Sequence, residues 1–300
     1  MSSIKSNEYR EEKNAIVGGM LYLVATPIGN LADLSERAIK VLSEVDFIAA
    51  EDTRNTQKLL SILGISKPLV SYFEHNKRER GEQIIQRLQA GESCALVTDA
   101  GTPAVSDPGA DLVVLCAECG VSVTGIPGCC AAITALTLSA LPTGRFTFEG
   151  FLSTNKAERR EHLGDLKTEK RTMILHEAPH KLRTTLCDLA DAFGGDRRIA
   201  LCRELTKLNE EVVRTTLDGA IALYEQKEPR GEYVLVIEGA SESAEQGGAF
   251  WQDMTIPAHV QYYVNTGMSE KDAIKAAAKD RGVHKNEVYS RIVEQKSAQK

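Results

Sequence analysis

The chain has 300 residues, of which 42% are hydrophobic and 26% charged, and its formal net charge is −6. This composition is typical of a globular protein of about two domains, and the negative charge argues against a protein that coats nucleic acid indiscriminately. No apolar run approaches the roughly 18 residues of a membrane span, and the polar N-terminal segment does not resemble a secretion signal. We therefore expect a cytoplasmic protein with no membrane partner.

Residues 1–18 are predicted to be a flexible arm, and five units of one strand and one helix follow it. The predicted strands are Gly19–Ala25, Asp46–Ala50, Leu69–Tyr72, Cys94–Val97 and Val121–Ile126. The predicted helices are Leu34–Ser43, Asn55–Leu63, Glu79–Ala90, Ala110–Cys119 and Cys129–Ala140. Repeated strand–helix units predict a mostly parallel sheet covered on both faces. These elements form a predicted N-terminal α/β domain at residues 19–142.

A domain boundary is predicted near Pro142–Leu152, and a second α/β domain at residues 143–239. Its predicted elements are the helices Lys156–Leu166, Pro179–Phe193 and Leu217–Gln226 and the strands Arg171–His176, Ile199–Arg203, Glu210–Thr216 and Glu232–Glu238. Residues 240–255, rich in Ser, Glu and Gly, are predicted to be a linker. The spacing of apolar residues predicts a small helical module at residues 256–300. It is basic, because it contains eight Lys or Arg and only five Asp or Glu from Pro257 onward.

The seven cysteines are an odd number, which fits a reducing compartment. Cys116 and Cys119 have the spacing of a zinc or redox motif, but they lie within a predicted helix and have no second pair. We expect the cysteines to be small core residues, and we expect no metal site.

Three loops that follow predicted strands carry the residues from which we expect a binding site: Thr26–Asn30 (TPIGN), Asp99–Asp107 (DAGTPAVSD) and Gly125–Gly128 (GIPG). In an open α/β sheet, ligands bind outside the carboxyl ends of the strands. Neither a dinucleotide nor a P-loop motif is present, so the loops favour a ligand recognised by shape and by backbone groups. The alternative for the second loop is a capped turn, with Ser106 or Asp107 as the helix cap and Pro108 in the first turn.

Seven segments in order resemble the tetrapyrrole methylase superfamily between Met20 and Gly239: LYLVATPIGNLADLSERAIKVL, AEDTRNTQKLL, VTDAGTPAVSDPGADLV, GIPGCCAAITAL, LHEAPHKL, CRELTKLNEE and GEYVLVIEG. They are most similar to the branch that methylates the 2′-hydroxyl of a cytidine in the decoding region of small-subunit ribosomal RNA. The resemblance implies an α/β fold class with two sheets, S-adenosylmethionine in the cleft between them, and a homodimer. The implied partner is the small-subunit ribosomal RNA.

The resemblance also implies which residues line the cofactor. Carried over by position, they are Thr26, Pro27 and Gly29 in the first loop, Asp99, Gly101, Thr102, Val105 and Ser106 in the second, Pro127, Cys129, Cys130, Ala131 and Ala132 in the third, and Leu152, Leu175 and Ala178 in the second domain. One segment departs from the family pattern, because Ala178 and Lys181 stand where serine and arginine are expected. Alanine at 178 cannot supply the hydroxyl contact that the pattern implies, whereas lysine at 181 keeps a basic group.

Methyl transfer to a hydroxyl requires an oxygen aligned with the methyl–sulfur bond and a group that assists loss of its proton. Candidates at the strand ends are Glu51, Asp52, Arg54, His75 and Glu177. Each has an ordinary alternative: residues 51–54 would also suit a helix start with a salt bridge, and His75 a turn.

Contacts to RNA are predicted from the basic module and from three further groups of cations: Lys77, Arg78 and Arg80; Lys156, Arg159 and Arg160; and Arg203 and Lys207. A solvated helix surface explains these charges equally well. Two other functions stay open. One is methylation of a tetrapyrrole precursor or of a protein residue on the same fold. The other is a noncatalytic RNA-binding factor.

Overall fold

The structure is a computed structural model, in which residues 15–240, 251 and 254–298 are described. These residues form two compact units, divided after Gly239. Most of the predicted arm, residues 1–18, and most of the predicted linker, residues 240–255, lie outside the described residues.

The larger unit contains two five-stranded sheets and the helices that cover them. Its strands are β1 (Met20–Val24), β2 (Phe47–Ala50), β3 (Leu69–Ser71), β4 (Cys94–Val97), β5 (Ser122–Ile126), β6 (Phe146–Gly150), β7 (Thr172–Glu177), β8 (Arg198–Arg203), β9 (Glu211–Thr216) and β10 (Tyr233–Ile237). Its α-helices are α1 (Glu36–Glu44), α2 (Thr53–Ile62), α3 (Lys77–Gln89), α4 (Gly109–Glu118), α5 (Ala131–Leu138), α6 (Lys156–Leu166), α7 (Leu182–Phe193) and α8 (Leu217–Gln226).

The first sheet has the strand order β3-β2-β4-β1-β5, and all its pairings are parallel. Every residue of β2 and β4 is buried, as expected for apolar strands with helices on both faces. The carboxyl ends of β1, β2, β4 and β5 meet at one edge of this sheet. The prediction of a parallel α/β sheet is thereby confirmed.

The first helix of the sequence analysis begins later than predicted. Asn30 caps a short 3-10 helix, Leu31–Asp33, by accepting a hydrogen bond from the backbone N–H of Ala32. Ser35 then caps α1 by accepting one from the N–H of Ala38. Two polar caps therefore divide a segment that apolar periodicity presents as one turn and one helix.

The second sheet has the strand order β6-β7-β10-β8-β9, in which only β6 and β7 are parallel. Sequence analysis missed β6, which lies within the predicted boundary. It is a short edge strand with exposed Phe146, and its register shifts before Gly150, whose φ is +61°. Glycines near both ends and a half-exposed pattern made this segment resemble a loop.

Helix α5 joins the two sheets into one unit. It follows β5 of the first sheet, but its Ala132, Ala135 and Leu136 pack against Ile174 and Val236 on one face of the second sheet. The opposite face of that sheet packs against α6, α7 and α8. The predicted division at residue 142 lies in the connection from α5 to β6, and it stays a prediction because both sheets belong to one compact unit.

The smaller unit contains the helices α9 (Ile256–Asn265), α10 (Glu270–Asp280) and α11 (Lys285–Ala298). Val260, Ala273, Ala277 and Val288 form the centre of its own core. Among the described residues of the whole chain, none of the helices combines the length and the apolar character needed to cross a membrane.

Candidate active site

The structure brings the three predicted loops together at the edge of the first sheet. Thr26 and Gly101 form an isolated antiparallel bridge, with N···O distances of 2.9 and 3.0 Å in the two directions. The hydroxyl of Thr102 donates to the carbonyl of Cys129 at 2.9 Å, which ties the second loop to the third. The three loops therefore form one connected surface.

The second loop has a strained backbone that one carboxylate holds in place. Gly101, Ala104 and Ser106 all have left-handed φ angles, of 87°, 65° and 66°. Oδ1 of Asp107 accepts hydrogen bonds from the N–H groups of Ala104 and Gly109, and Oδ2 accepts one from Val105. Asp107 therefore fixes the loop and joins it to Gly109, the first residue of α4; the cap residue of α4 is Pro108, where the alternative reading placed Ser106 or Asp107. Such strain is common where a loop is shaped for a ligand.

A cavity of about 250 Å³ opens at this edge between the first loop and α2. Its lining residues are Thr26, Pro27, Gly29, Leu31, Asn55, Thr56, Leu59, Thr98 and Asp99. The amide of Asn55 donates to Oδ2 of Asp99 at 3.2 Å and so orients that carboxylate at the cavity. Four of the predicted cofactor residues, Thr26, Pro27, Gly29 and Asp99, thus line one cavity.

Among the predicted catalytic residues, Glu51 forms a hydrogen bond to a residue that lines this cavity. It follows β2, and its Oε2 accepts a hydrogen bond of 2.8 Å from the hydroxyl of Thr98, the residue before Asp99. The described residues form no other hydrogen bond to this carboxylate. Glu51 therefore has an oxygen available for a bound molecule.

Asp52 and Arg54 form a salt bridge at the start of α2. The guanidinium of Arg54 donates to both carboxylate oxygens of Asp52, at 3.0 and 2.7 Å, and the N–H of Arg54 donates to Oδ1 at 2.8 Å. The Arg54 side chain lowers the pKa of Asp52 to about 2. A carboxylate with so low a pKa is a weak base, and this geometry matches the alternative reading of a helix start.

The structure does not bring His75 and Glu177 to the cavity. His75 is exposed beyond β3, the outermost strand of the first sheet, and its ring lies 6.1 Å from that of Phe73. Glu177 is 5% exposed, accepts a hydrogen bond from the N–H of Ala178 and another from the hydroxyl of Thr185, and lies on the α7 side of β7.

Residues of the second sheet and of the segment after β8 lie close to the first and second loops at two places. A Cβ added to Gly29 would lie 2.3 Å from Cγ of Lys207 and 3.0 Å from Oγ1 of Thr206. A Cβ added to Gly150 would lie 3.4 Å from Oγ of Ser106. Leu152 and Leu175, both predicted to contact the cofactor, are instead buried in the core beneath α6 and α7, whereas Ala178 is half-buried beyond the end of β7.

His176, which precedes Glu177 on β7, lies in the segment Leu175–Ala178 that the resemblance implies at the cofactor, but sequence analysis gave it no role of its own. It points to the same face of the sheet as Ile174, toward α5, and its ring lies 5.4 Å from Phe148 and 5.5 Å from Phe151. Its Nε2 is buried and has no hydrogen-bond partner among the described residues, and burial lowers its pKa. The strand sequence TMILHE predicts that His176 shares a face with Ile174, because residues two apart in a strand point to the same side.

The first turn of α5 supplies free backbone donors. Its cap residue, Cys130, forms no side-chain hydrogen bond to the helix, and N–H groups at a helix start bind carboxylates and phosphates well. Gly128 lies against Ala25, since a Cβ there would be 2.8 Å from that of Ala25. Within the described part of the chain, no group of three His, Cys, Asp or Glu side chains is arranged to hold a metal ion.

Comparison with known proteins places this site in context. The family model described as Tetrapyrrole (Corrin/Porphyrin) Methylases matches residues 20–221. The chain is 46% identical over 290 residues to the ribosomal RNA small subunit methyltransferase I of Halalkalibacterium halodurans. The alignment covers 97% of this chain and 98% of the relative. It is 47% identical over 272 residues to the protein of the same name from Bacillus subtilis, covering 90% and 93%. A crystal structure of diphthine synthase shares the fold, with a TM-score of 0.56 and 15% identity over 73% of this chain and 90% of that one.

Proposed function

The chain belongs to the tetrapyrrole methylase family, and from that premise we propose that it methylates the RNA of the small ribosomal subunit, at the 2′-hydroxyl of a cytidine. S-adenosylmethionine is the methyl donor. The similarity to ribosomal RNA small subunit methyltransferases I over nine-tenths or more of both chains supports the RNA substrate. The choice of a cytidine 2′-hydroxyl rests on the quoted sequence segments.

The residues at the loop edge fit this cofactor. S-adenosylmethionine supplies, when bound, a methyl group on a positively charged sulfur that is already activated for transfer. Asp99 would accept hydrogen bonds from the hydroxyl or ammonium groups of such a molecule, and the uncapped N–H groups of α5 would donate to its carboxylate. Gly29 and Gly128 have no side chain, which lets Lys207 and Ala25 pack directly against the backbone of the first and third loops.

For the transfer itself, we assign the proton acceptor to Glu51. Its carboxylate lies beside Asp99 through the bond to Thr98, and one of its oxygens is unused. Asp52 and Arg54 hold the start of α2, which carries Asn55 and so orients Asp99. The chain thus has one group to orient the cofactor and one to receive the proton of the attacking hydroxyl.

The observation that carries this proposal is the set of hydrogen bonds that joins Thr26 to Gly101 and to Thr98, the residue before Asp99, at the edge of the parallel sheet. Lys207 packs against Gly29 of the same edge. The hydroxyl of Thr26 donates to the carbonyl of Thr98 at 3.1 Å, so the cofactor loops and the residue that holds Glu51 form one unit. A site with this construction suits one ligand between two domains, with the second substrate at the outer side.

The test is methyl transfer from labelled S-adenosylmethionine to purified small ribosomal subunits that lack their own methylation. Nuclease digestion and mass analysis of the nucleosides should reveal a 2′-O-methylated cytidine. The variant Asp99→Ala should lose this product, while Asp196→Ala, which removes an exposed carboxylate before β8, should keep it. Cofactor binding without labelled RNA would contradict the proposal and point to a tetrapyrrole or protein substrate, or to a noncatalytic RNA-binding factor.

We propose also that the protein is a cytoplasmic homodimer, as the quoted sequence segments imply. Exposed apolar side chains such as Ile133 and Leu208, which are 44% and 99% exposed, offer surface for a partner copy. Sedimentation equilibrium of the full chain should give twice the monomer mass of 32.7 kDa, and a monomer at micromolar concentration would contradict this.

A further inference from the structure

A groove of about 760 Å³ lies between α6 and α7 on the outer face of the second sheet. Cationic side chains dominate its rim: Lys156, Arg159 and Arg160 on α6, Lys167 directly after α6, and Lys181 directly before α7. Only two carboxylates, Asp188 and Asp191, line it. In a chain of net charge −6, this groove is a local region of positive charge.

Most of the cations of this groove have no carboxylate partner among the described residues. Lys156, Arg160, Lys167 and Lys181 form neither an ion pair nor a side-chain hydrogen bond with any residue that the structure describes. By contrast, Lys77 and Lys207, which sequence analysis also considered for RNA, each lie within 3 Å of two carboxylates. Four unneutralised charges along one groove are therefore available to an anion.

Arg159 has a different role at the base of the groove. Its Nε donates to Asp188 at 2.6 Å, and its Nη2 donates to the hydroxyl of Thr185 at 2.9 Å. That hydroxyl in turn donates to the buried carboxylate of Glu177. This chain of contacts fixes α6 against α7 and keeps the groove open between them.

The groove begins near the carboxyl ends of β6 and β7. Helix α6 starts six residues after β6 ends at Gly150, which faces Ser106 of the second loop. Lys181 follows β7, and Ser153, Thr154 and His180 line the part of the groove near these strand ends. We infer that this groove binds the phosphodiester backbone of the substrate RNA as the strand leaves the active site. The inference rests on the proposed function.

The chemistry of the lining favours phosphate over bases or a protein surface. Lys and Arg side chains on two regular helices contact phosphate oxygens without regard to sequence. The lining contains no Phe, Tyr or Trp on which a base would stack. Its apolar floor, formed by Leu163 and Ala192, is too small to anchor a protein partner. Selection of the nucleotide is thus left to the cleft, and the groove supplies affinity and direction.

The first experiment measures binding of the full chain to unmethylated small ribosomal subunits over a series of salt concentrations. The variant Lys156→Ala/Arg160→Ala should bind on the order of tenfold more weakly at about 0.1 M salt, and its slope of log affinity against log salt should decrease by roughly 1 to 2. The control Arg37→Ala/Lys67→Ala removes the same charges from the first α/β domain and should behave as the unmodified protein. Affinity for S-adenosylmethionine and the rate at saturating subunits should stay unchanged.

A second experiment identifies the molecule in the groove. Gly164 lines it and has open space around its Cα, so a photoreactive benzoylphenylalanine at this position should be accommodated. Irradiation with subunits should cross-link this position to RNA. Crosslinks to a ribosomal protein alone, or a salt slope equal to that of the control, would overturn the inference. If the unmodified protein methylates subunits in that case, the groove inference fails alone; if it does not, the proposed function fails.

Discussion

The edge of the first sheet and the groove on the second sheet are built from different materials. At the edge, backbone groups, glycines and the Asp107 carboxylate shape a cavity whose loops include three left-handed residues. The groove consists of side chains on two regular helices with ordinary backbone angles. We expect the edge to respond sharply to single changes, because strained loops have few alternative supports, and the groove to respond gradually, because its charges act independently.

The largest effect is expected at Asp107, which supports the strained loop. Asp107→Ala removes the acceptor of three backbone N–H groups, which should lower the free energy of unfolding by about 2–3 kcal/mol and the methylation rate on the order of 100-fold. Calorimetric titration with S-adenosylmethionine should show weaker binding. Asp107→Asn keeps an acceptor at Oδ1 for Ala104 and Gly109 and should be intermediate. Equal behaviour of the two variants would mean that the loop does not depend on these bonds.

The buried network beneath the groove should be the next most sensitive feature. Thr185→Val removes the hydroxyl that joins Arg159 to Glu177 and leaves two charged groups short of a partner, at a cost of about 2 kcal/mol in the free energy of unfolding. Denaturant unfolding measures this change. Thr185→Ser keeps the hydroxyl and should lose less stability. The control Arg230→Ala breaks the ion pair with Glu228, whose side chains are 78% and 71% exposed, and should change the free energy of unfolding by less than about 1 kcal/mol. A Val variant as stable as the Ser variant would show that the network contributes no stability.

Much of the first sheet was predictable from the sequence because each parallel strand is a short apolar run followed by a helix. Cys94–Val97 was placed without error, since all four residues are buried and Thr98–Asp99 end the run abruptly. The strand at 146–150 was missed because an edge strand buries only part of its residues. Antiparallel pairing of β8, β9 and β10 depends on contacts between residues far apart in sequence, which local periodicity does not contain.

The candidate site was predictable in part for the same reason. Polar residues after parallel strands lie at one edge, so Thr26, Glu51 and Asp99 could be expected near one another. His75 follows the same rule but lies after the outermost strand, and only the strand order shows this. The side of β7 that packs against α5 depends on register, so the sequence alone did not separate Leu175 and Glu177 from His176.

A glycine-to-alanine substitution can be made in both regions, at Gly101 in the edge loop and at Gly164 in the groove. Gly101 has φ of 87° in the strained loop, so Gly101→Ala should destabilise the protein by about 1 kcal/mol and weaken cofactor binding. Gly164 lies in α6 with open space around it, so Gly164→Ala should stabilise the protein by about 0.5–1 kcal/mol through helix propensity. Thermal unfolding measures both. Shifts of the same sign would contradict the assignment of strain to the edge loops.

The last effect depends on pH and concerns the face of the second sheet that meets α5. Burial lowers the pKa of His176 from its ordinary 6.5. Above pH 6.5 the ring is neutral in the folded and unfolded chain alike, and stability is unaffected. As the pH falls below 6.5, the unfolded chain takes up a proton that the folded chain refuses, so the free energy of unfolding should decrease by up to about 1.4 kcal/mol per pH unit.

His176→Phe removes this titration and keeps an aromatic ring between Phe148 and Phe151. The difference in unfolding free energy between this variant and the unmodified chain should therefore grow in favour of the variant from pH 7.5 to pH 5.5. Groups that titrate elsewhere, including His259 in the smaller unit, are common to both proteins and cancel. Parallel curves of unfolding free energy against pH would mean that the ring of His176 is hydrated and has the same pKa in the folded and unfolded chain. The second sheet would then present a hydrated surface to α5, and His176 would not contribute to the pH dependence of stability.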